Sequence, residues 1–252
     1  MEEIEVHELK KLKLKKPVVI EGLPGVGNVG KLVAEHMIQE LKAEKIIELY
    51  SWHFPPQVLV NDDGTVHLCK NEIYAYKSKK QDLLIITGDQ QSVTNEGHYF
   101  ITEKFLDIAQ QYDVSRIYTL GGYGIGQLVE KQVVLGAAND LELVGEMKEY
   151  GVEFREEEPG GSIVGVSGLL LGLGKLRGFP AVCLLGLTSG YLVDPKSAQA
   201  VLKILCQALN LEIDMQDLEE HAEEMERVVE RLKEMEQAQI PRTRDEELGY
   251  IR

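Results

Sequence analysis

Apolar positions along the chain follow two periods, and their alternation predicts strands and helices in turn. Residues 17–20 (Pro17, Val18, Val19, Ile20) form a short continuous apolar run, as in a strand buried on both faces. A glycine turn follows at Gly25, Gly27 and Gly30, and a helix is predicted over 32–41. Residues 45–50 read as a second strand. Residues 57–78 read as an antiparallel hairpin region, because Val58, Leu59 and Val60, then Val66 and Leu68, then Ile73, Ala75 and Tyr76 surround Asp63-Gly64, a dipeptide that favours positive φ. Leu83, Leu84, Ile85 and Ile86, within 82–88, return to the buried-strand pattern. Phe100, Phe105, Ile108 and Ala109 then fall near helical spacing and predict a helix over 95–112.

Further strands are expected at 116–120, ending in Gly121-Gly122-Tyr123-Gly124, and at 133–136, 152–154 and 180–187. Helices are expected at 140–150, at 162–177, and at 195–209 with Asp194 as its cap. This alternation predicts an α/β fold: a single Rossmann-like core with a mostly parallel sheet, helices on both faces, an antiparallel hairpin region and C-terminal helices. The chain divides into an N-terminal segment (1–16), the α/β core (17–210), an acidic amphipathic helix (211–239) and a flexible C-terminal tail (240–252). Leu218, Met225 and Leu232 recur every seven residues in that helix, with Val228 and Met235 offset to complete an apolar seam. The seam packs on its own domain or contacts another subunit.

The glycine turn fits two nucleotide-binding patterns and departs from each where chemistry would be done. Gly25, Gly30 and Lys31 occupy the glycine and lysine positions of a phosphate loop, but Leu32 stands where a hydroxyl should ligand magnesium, which argues against ATP hydrolysis. Gly25, Gly27 and Gly30 are also in register for a dinucleotide loop, with Glu48 near the distance of a ribose-binding carboxylate. Ligands of α/β sheets bind at the carboxyl ends of strands. The candidate pocket is therefore Gly25, Gly27, Asn28, Gly30 and Lys31, joined by Asp89 and Gly122 from neighbouring strand ends. The competing reading is structural: glycine also serves tight turns and close helix-to-strand approach with no ligand.

With 252 residues, 44% of them hydrophobic, the chain can bury one good core. A formal charge of -15 repels phosphate backbones, so nucleic acid is an unexpected partner. No apolar run approaches bilayer length; the closest, 163–176, is broken by glycines, and a cytoplasmic address without membrane contact is expected. Cys69, Cys183 and Cys206 are odd in number and widely spaced, and the histidines lack paired ligand spacing, so neither a disulfide nor a metal site is expected. Gly165-Val166-Ser167-Gly168-Leu169 resembles a nucleophile elbow until Leu169 replaces its last glycine. Glu156-Glu157-Glu158 reads as a solvated loop. No catalytic residues and no cofactor are assigned.

The segments 21–30 (Glu21-Gly22-Leu23-Pro24-Gly25-Val26-Gly27-Asn28-Val29-Gly30), Thr87-Gly88-Asp89-Gln90-Gln91 and Gly121-Gly122-Tyr123-Gly124 together resemble the proteasome assembly chaperone family. Gly168-Leu169-Leu170-Leu171-Gly172, the run 181–186 and Thr188-Ser189-Gly190 are similar to the same family, in the branch shared by archaeal homologues and the second subunit of the eukaryotic chaperone pair. The resemblance spans about 17–209. It implies a nucleoside-phosphorylase-like α/β core, no catalytic reaction, no ATP requirement, and assembly into a homo-oligomer, a trimer or tetramer. It also implies the α-subunit ring of the core proteasome as partner, with a paralogous family member as a further one. Docking in such proteins uses a C-terminal hydrophobic-tyrosine-any tripeptide. Here Tyr250 is third from the end, preceded by Gly249. The partner-binding residues implied are Leu248, Tyr250, Ile251 and Arg252, in a modified register. The expected function is that of a non-enzymatic, ATP-independent assembly chaperone or activator of the core proteasome. The alternative is an enzyme or sensor that binds a nucleotide-like or phosphorylated small molecule at the Gly25 to Lys31 loop.

Overall fold

The computed structural model describes residues 3–129, 131–154 and 161–239. The elements in chain order are β1 (Ile4–Glu8), β2 (Val18–Glu21), α1 (Val29–Leu41), β3 (Glu44–Ser51), β4 (Val58–Val60), β5 (Val66–Leu68), β6 (Asn71–Tyr76), β7 (Leu83–Gly88), α2 (Asn95–Gln111), β8 (Arg116–Gly124), β9 (Val134–Ala138), α3 (Leu141–Glu149), α4 (Val166–Leu176), β10 (Ala181–Thr188), α5 (Pro195–Leu209) and α6 (Gln216–Gln239). Eight strands form one sheet in the order β1-β3-β6-β7-β2-β8-β10-β9, and β4 and β5 form a separate pair.

Apolar alternation along the central strands sorts the core into two layers. Val18, Ile20, Leu83, Ile85, Tyr118 and Leu184 face Val33 and Met37 of α1 and Val201 and Leu205 of α5. Val19, Leu84, Ile86, Ile117 and Cys183 face Ile101 and Phe105 of α2 and Val166 and Leu170 of α4. Strands covered on both sides need continuous apolar sequence, and β7 is buried at every position. The α/β core with helices on both faces is thus as expected.

The parallel part is smaller than the sequence suggested. β7, β2, β8 and β10 pair in parallel, whereas β1, β3 and β6 join in antiparallel fashion on one side and β9 on the other. For β6 against β7 and for β9 the reason is connection length. A parallel return needs a crossover of a dozen or more residues, and residues 77–82 between β6 and β7, or 125–133 between β8 and β9, are too few. The predicted strand at 152–154 reduces to a single bridge between Leu135 and Glu153. The strand expected at 116–120 runs on through Gly121, Gly122 and Gly124, which are in register with Leu185, Gly186 and Thr188 of β10. β1 was not foreseen. It is a half-exposed edge strand carrying Glu5, His7 and Glu8, the kind of charged edge that discourages further pairing.

Asp194 caps α5 by accepting a hydrogen bond from the Ser197 amide at 2.9 Å. The start of α6 packs against α5, with Leu218 and Ala222 buried, while Val228 two turns on is exposed. Cys69, Cys183 and Cys206 are free and buried. No helix among the described residues is long and apolar enough to cross a membrane. The Glu156 to Glu158 run and the tail from residue 240 lie outside the described residues.

Candidate functional site

At the carboxyl end of β2 the chain must turn out of the sheet and into α1 within a few residues, and glycine makes this possible in two ways. Gly27 has φ 64 and Asn28 φ 51, the left-handed region that favours glycine and asparagine. Elsewhere the requirement is space. A Cβ on Gly30 would collide with the Leu120 carbonyl, one on Gly22 with the Gly30 carbonyl, and one on Gly122 with the Val26 carbonyl. Gly30 and Gly122 therefore let α1 and its leading loop rest directly on β8. Gly25 differs, being extended at φ -163 with its nearest neighbour to a Cβ at 4.0 Å.

Of the candidate residues, Gly25, Asn28, Lys31 and Asp89 line one open cleft of about 450 Å³, together with Pro24 and Gln90. Gly30 and Gly122 are committed to backbone packing beneath it, and Gly27 to its left-handed φ against the Thr188 side chain. The two charged side chains of the cleft, Lys31 and Asp89, already have partners in the chain. Lys31 Nζ donates to the Gly88 carbonyl at 3.1 Å and lies 3.4 Å from Glu35 Oε1. Asp89 Oδ2 accepts from the Lys70 amide at 3.1 Å, and the Asp89 amide donates to the Lys70 carbonyl at 3.0 Å. Glu48 does not join the cleft as a ribose ligand. Burial would raise its carboxyl, but hydrogen bonds from Lys70, Lys45 and Tyr50 outweigh that effect and hold it down at about 2. Lys45 and Lys70 also contact Glu72, each at 2.9 Å, so Glu48 belongs to a charge-balanced network across β3 and β6.

The least expected residue is Glu21, which is fully buried at the end of β2. Alternation turns it to the same face as Val19, under α4, where it accepts hydrogen bonds from Ser167 Oγ at 2.8 Å and from the Leu23 amide at 3.1 Å. Burial raises its carboxyl to about 7 against the lowering effect of those two bonds. Ser167, the elbow-like serine, thus spends its hydroxyl on Glu21. Gln91 completes the cluster: its Nε2 donates to the Pro24 carbonyl at 2.8 Å and its Oε1 accepts from the Val166 amide at 3.2 Å. One side chain links the glycine turn to the first turn of α4. A carboxylate closing an apolar strand just before a glycine was the one sequence signal for Glu21. No group of three metal-ligating side chains occurs among the described residues.

Fold and strand ends together define a three-layer α/β protein whose polar groups at the crossing of loop, strand and helix are used to hold the loops in place. The model of the PAC2 family matches residues 19–233, and the chain belongs to that family. It is 42% identical over 243 residues to an uncharacterised protein, MJ1210, of Methanocaldococcus jannaschii, covering 94% of this chain and 93% of that one. Among solved structures it is similar to Pyrococcus furiosus PbaB, described as an archaeal proteasome activator, at 43% identity and a TM-score of 0.88 over 92% of this chain and 100% of that one. It is also similar to Pyrococcus furiosus PbaA, described as an archaeal homologue of proteasome-assembly chaperone, at 27% identity and a TM-score of 0.76 over 92% and 94%.

Two expectations follow from this geometry. Between about pH 4.5 and about pH 7 the folded chain keeps a proton on Glu21 that the unfolded chain has released. Its contribution to stability is therefore fully present at low pH and falls by about 3 kcal/mol as pH rises through that window. Glu21→Gln should raise the denaturant midpoint at pH 8 while changing it little at pH 5; an equal effect at both values would mean that the carboxyl is not protonated in the fold. Gly30→Ala should cost about 3 kcal/mol, because backbone at Leu120 must give way. Gly25→Ala should stay within about 0.5 kcal/mol by thermal unfolding.

Proposed function

We propose that this chain is a non-enzymatic proteasome-binding protein, an ATP-independent assembly chaperone or activator of the core proteasome that acts through its C-terminal tail. The observation that carries this reading is the likeness to PbaB over that chain's whole length at 43% identity. Identity to PbaA is lower, 27%, which favours the activator side of the pair. The partner is the α-subunit ring, and the docking residues are Leu248, Tyr250, Ile251 and Arg252. A short tail binds weakly alone. Several tails carried by one homo-oligomeric platform raise one another's local concentration and bind together, provided their spacing matches the ring.

The small-molecule reading at Gly25, Lys31 and Asp89 finds less support. The ammonium that would hold a phosphate already donates to the Gly88 carbonyl and is partly neutralised by Glu35 at 3.4 Å, and Gly27, Gly30 and Gly122 have conformational or packing reasons to be glycine.

Removal of residues 248–252 should abolish capture of an archaeal core proteasome, and ATP-free stimulation of its peptide hydrolysis, without changing the melting temperature. Capture that survives the truncation would move the contact to the folded surface and exclude the tail. Millimolar ATP, NAD or nucleosides should shift the melting temperature by less than about 1 °C. A rise of several degrees would revive the ligand reading.

A further inference from the structure

β2 and β7 start side by side, with Val18 in register with Leu83, so the segments that lead into them, 10–16 and 77–82, share the amino end of the parallel strands. Asp82, buried at 4% exposure, staples the two: its Oδ2 accepts from the Lys15 amide at 2.7 Å and its Oδ1 from the Ser78 amide at 2.9 Å. Gln81 adds a bond from its Nε2 to the Lys16 carbonyl at 3.1 Å. Residues 10–16 and 77–80 hold eight of the chain's 27 basic residues and no acidic one, in a chain of formal charge -15. A buried carboxylate that spends both oxygens on backbone amides thus holds together two lysine-rich segments that would otherwise repel. Lys10 and Lys11 pair with Glu44 and Glu8, but Lys13, Lys15, Lys16, Lys77 and Lys79 are exposed and have no ion-pair partner among the described residues.

Exposure alternates along the first segment: Leu12 and Leu14 pack on the α2 side of the core, and Lys11, Lys13 and Lys15 face solvent. The amides and carbonyls from Lys11 to Leu14 have no protein partner among the described residues. An added extended chain satisfies such groups, and carboxylates at its alternate positions repeat at about 6.8 Å, the spacing of alternate lysines here. Neither segment offers an arginine or an aromatic ring on which a base could stack, and Leu12 and Leu14 are turned inward, away from any bilayer. A long polyanion would also run on from this face over an acidic surface, whereas a short acidic segment meets the lysines alone.

The undescribed residues join the chain away from this end. Ile4 pairs with Ser51 and Glu8 with Ile47, so residues 1–2 lie beyond the far end of β1. Residue 130 follows the carboxyl end of β8, and residues 155–160 follow Glu153, which is bridged to β9 at the edge of the sheet. Lys80 Nζ donates to the Asn210 carbonyl at 3.4 Å, which places the end of α5 beside the second lysine segment. From there α6 climbs back along α5, where Gln199 donates to Glu219 at 2.8 Å, and continues to Gln239, about 30 Å further on.

We propose that residues 10–16 and 77–80, held together by Asp82, form a binding face for an extended acidic segment of another protein, its carboxylates on the lysines and its main chain along residues 11–14. This face is independent of the C-terminal tail and of the proteasome-binding reading.

A short fluorescein-labelled peptide of alternating Glu and Thr should bind the full chain saturably by fluorescence anisotropy. It should bind more tightly than an isomer with its Glu residues in one block, than oligothymidylate of equal charge, and than phosphatidylserine vesicles. Lys13→Glu with Lys15→Glu, and separately Lys77→Glu with Lys79→Glu, should each weaken binding about 30-fold or more while retaining the circular dichroism of the parent. Lys175→Glu with Lys203→Glu, exposed elsewhere and equal in charge change, should weaken it less than about threefold. Absence of saturable binding, equal loss in the Lys175/Lys203 variant, or loss in only one of the two patch variants would each overturn the proposal. So would equal or tighter binding of the block isomer, the oligothymidylate or the vesicles. Binding that appears only once residues 240–252 are removed would make the chain's own tail the occupant, and would overturn it as well.

Discussion

The close approach of α1 to β8 is the constraint on which the strand-end region depends. Gly30 sits against the Leu120 carbonyl, Gly22 against the Gly30 carbonyl, and Gly122 against the Val26 carbonyl. A side chain at any of the three would push helix from sheet. Once the helix is seated, Val33 and Met37 reach the apolar layer formed by Ile20, Ile85 and Tyr118, and that layer is where the hydrophobic driving force for this face resides. The same loop is fixed from the far side by the Asp194 amide, which donates to the Gly27 carbonyl at 2.9 Å and ties α5 to it.

Polar groups at these strand ends work mainly as fasteners. Gln91 joins the Pro24 carbonyl to the Val166 amide, Glu21 joins Ser167 to Leu23, Asp89 holds the backbone at Lys70, and Lys31 reaches back to Gly88. Each bond commits part of a side chain's hydrogen-bonding capacity to the fold. Burying polar groups is tolerable when partners are supplied, and here the chain supplies them. The exception in kind is Glu21, where burial outweighs two hydrogen bonds and the carboxyl keeps its proton to about pH 7.

The antiparallel additions give the sheet a different character on each side. β3 and β6 carry a balanced network of two lysines and two glutamates, while the hairpin of β4 and β5 turns uncharged aliphatic side chains outward. These two surfaces differ sharply in the chemistry they offer.

Period and composition alone determined most of the elements: the buried runs at β2, β7 and β10, the helices α1, α2, α3 and α5, the hairpin around Asp63-Gly64, and the α/β class, because burial on one or two faces writes a repeat directly into the chain. The family, too, was legible in its glycine segments, since those residues answer to backbone collisions that few substitutions relieve. What tertiary structure alone decided was the use of each polar group. Whether Lys31 holds a phosphate or the Gly88 carbonyl, whether Glu48 faces a ribose or two lysines, and whether Ser167 attacks or hydrogen-bonds Glu21 depends on residues 3 to 146 positions away. Pairing direction at the sheet edges was likewise settled by which elements come to lie beside which, a contact between distant segments that no local pattern encodes.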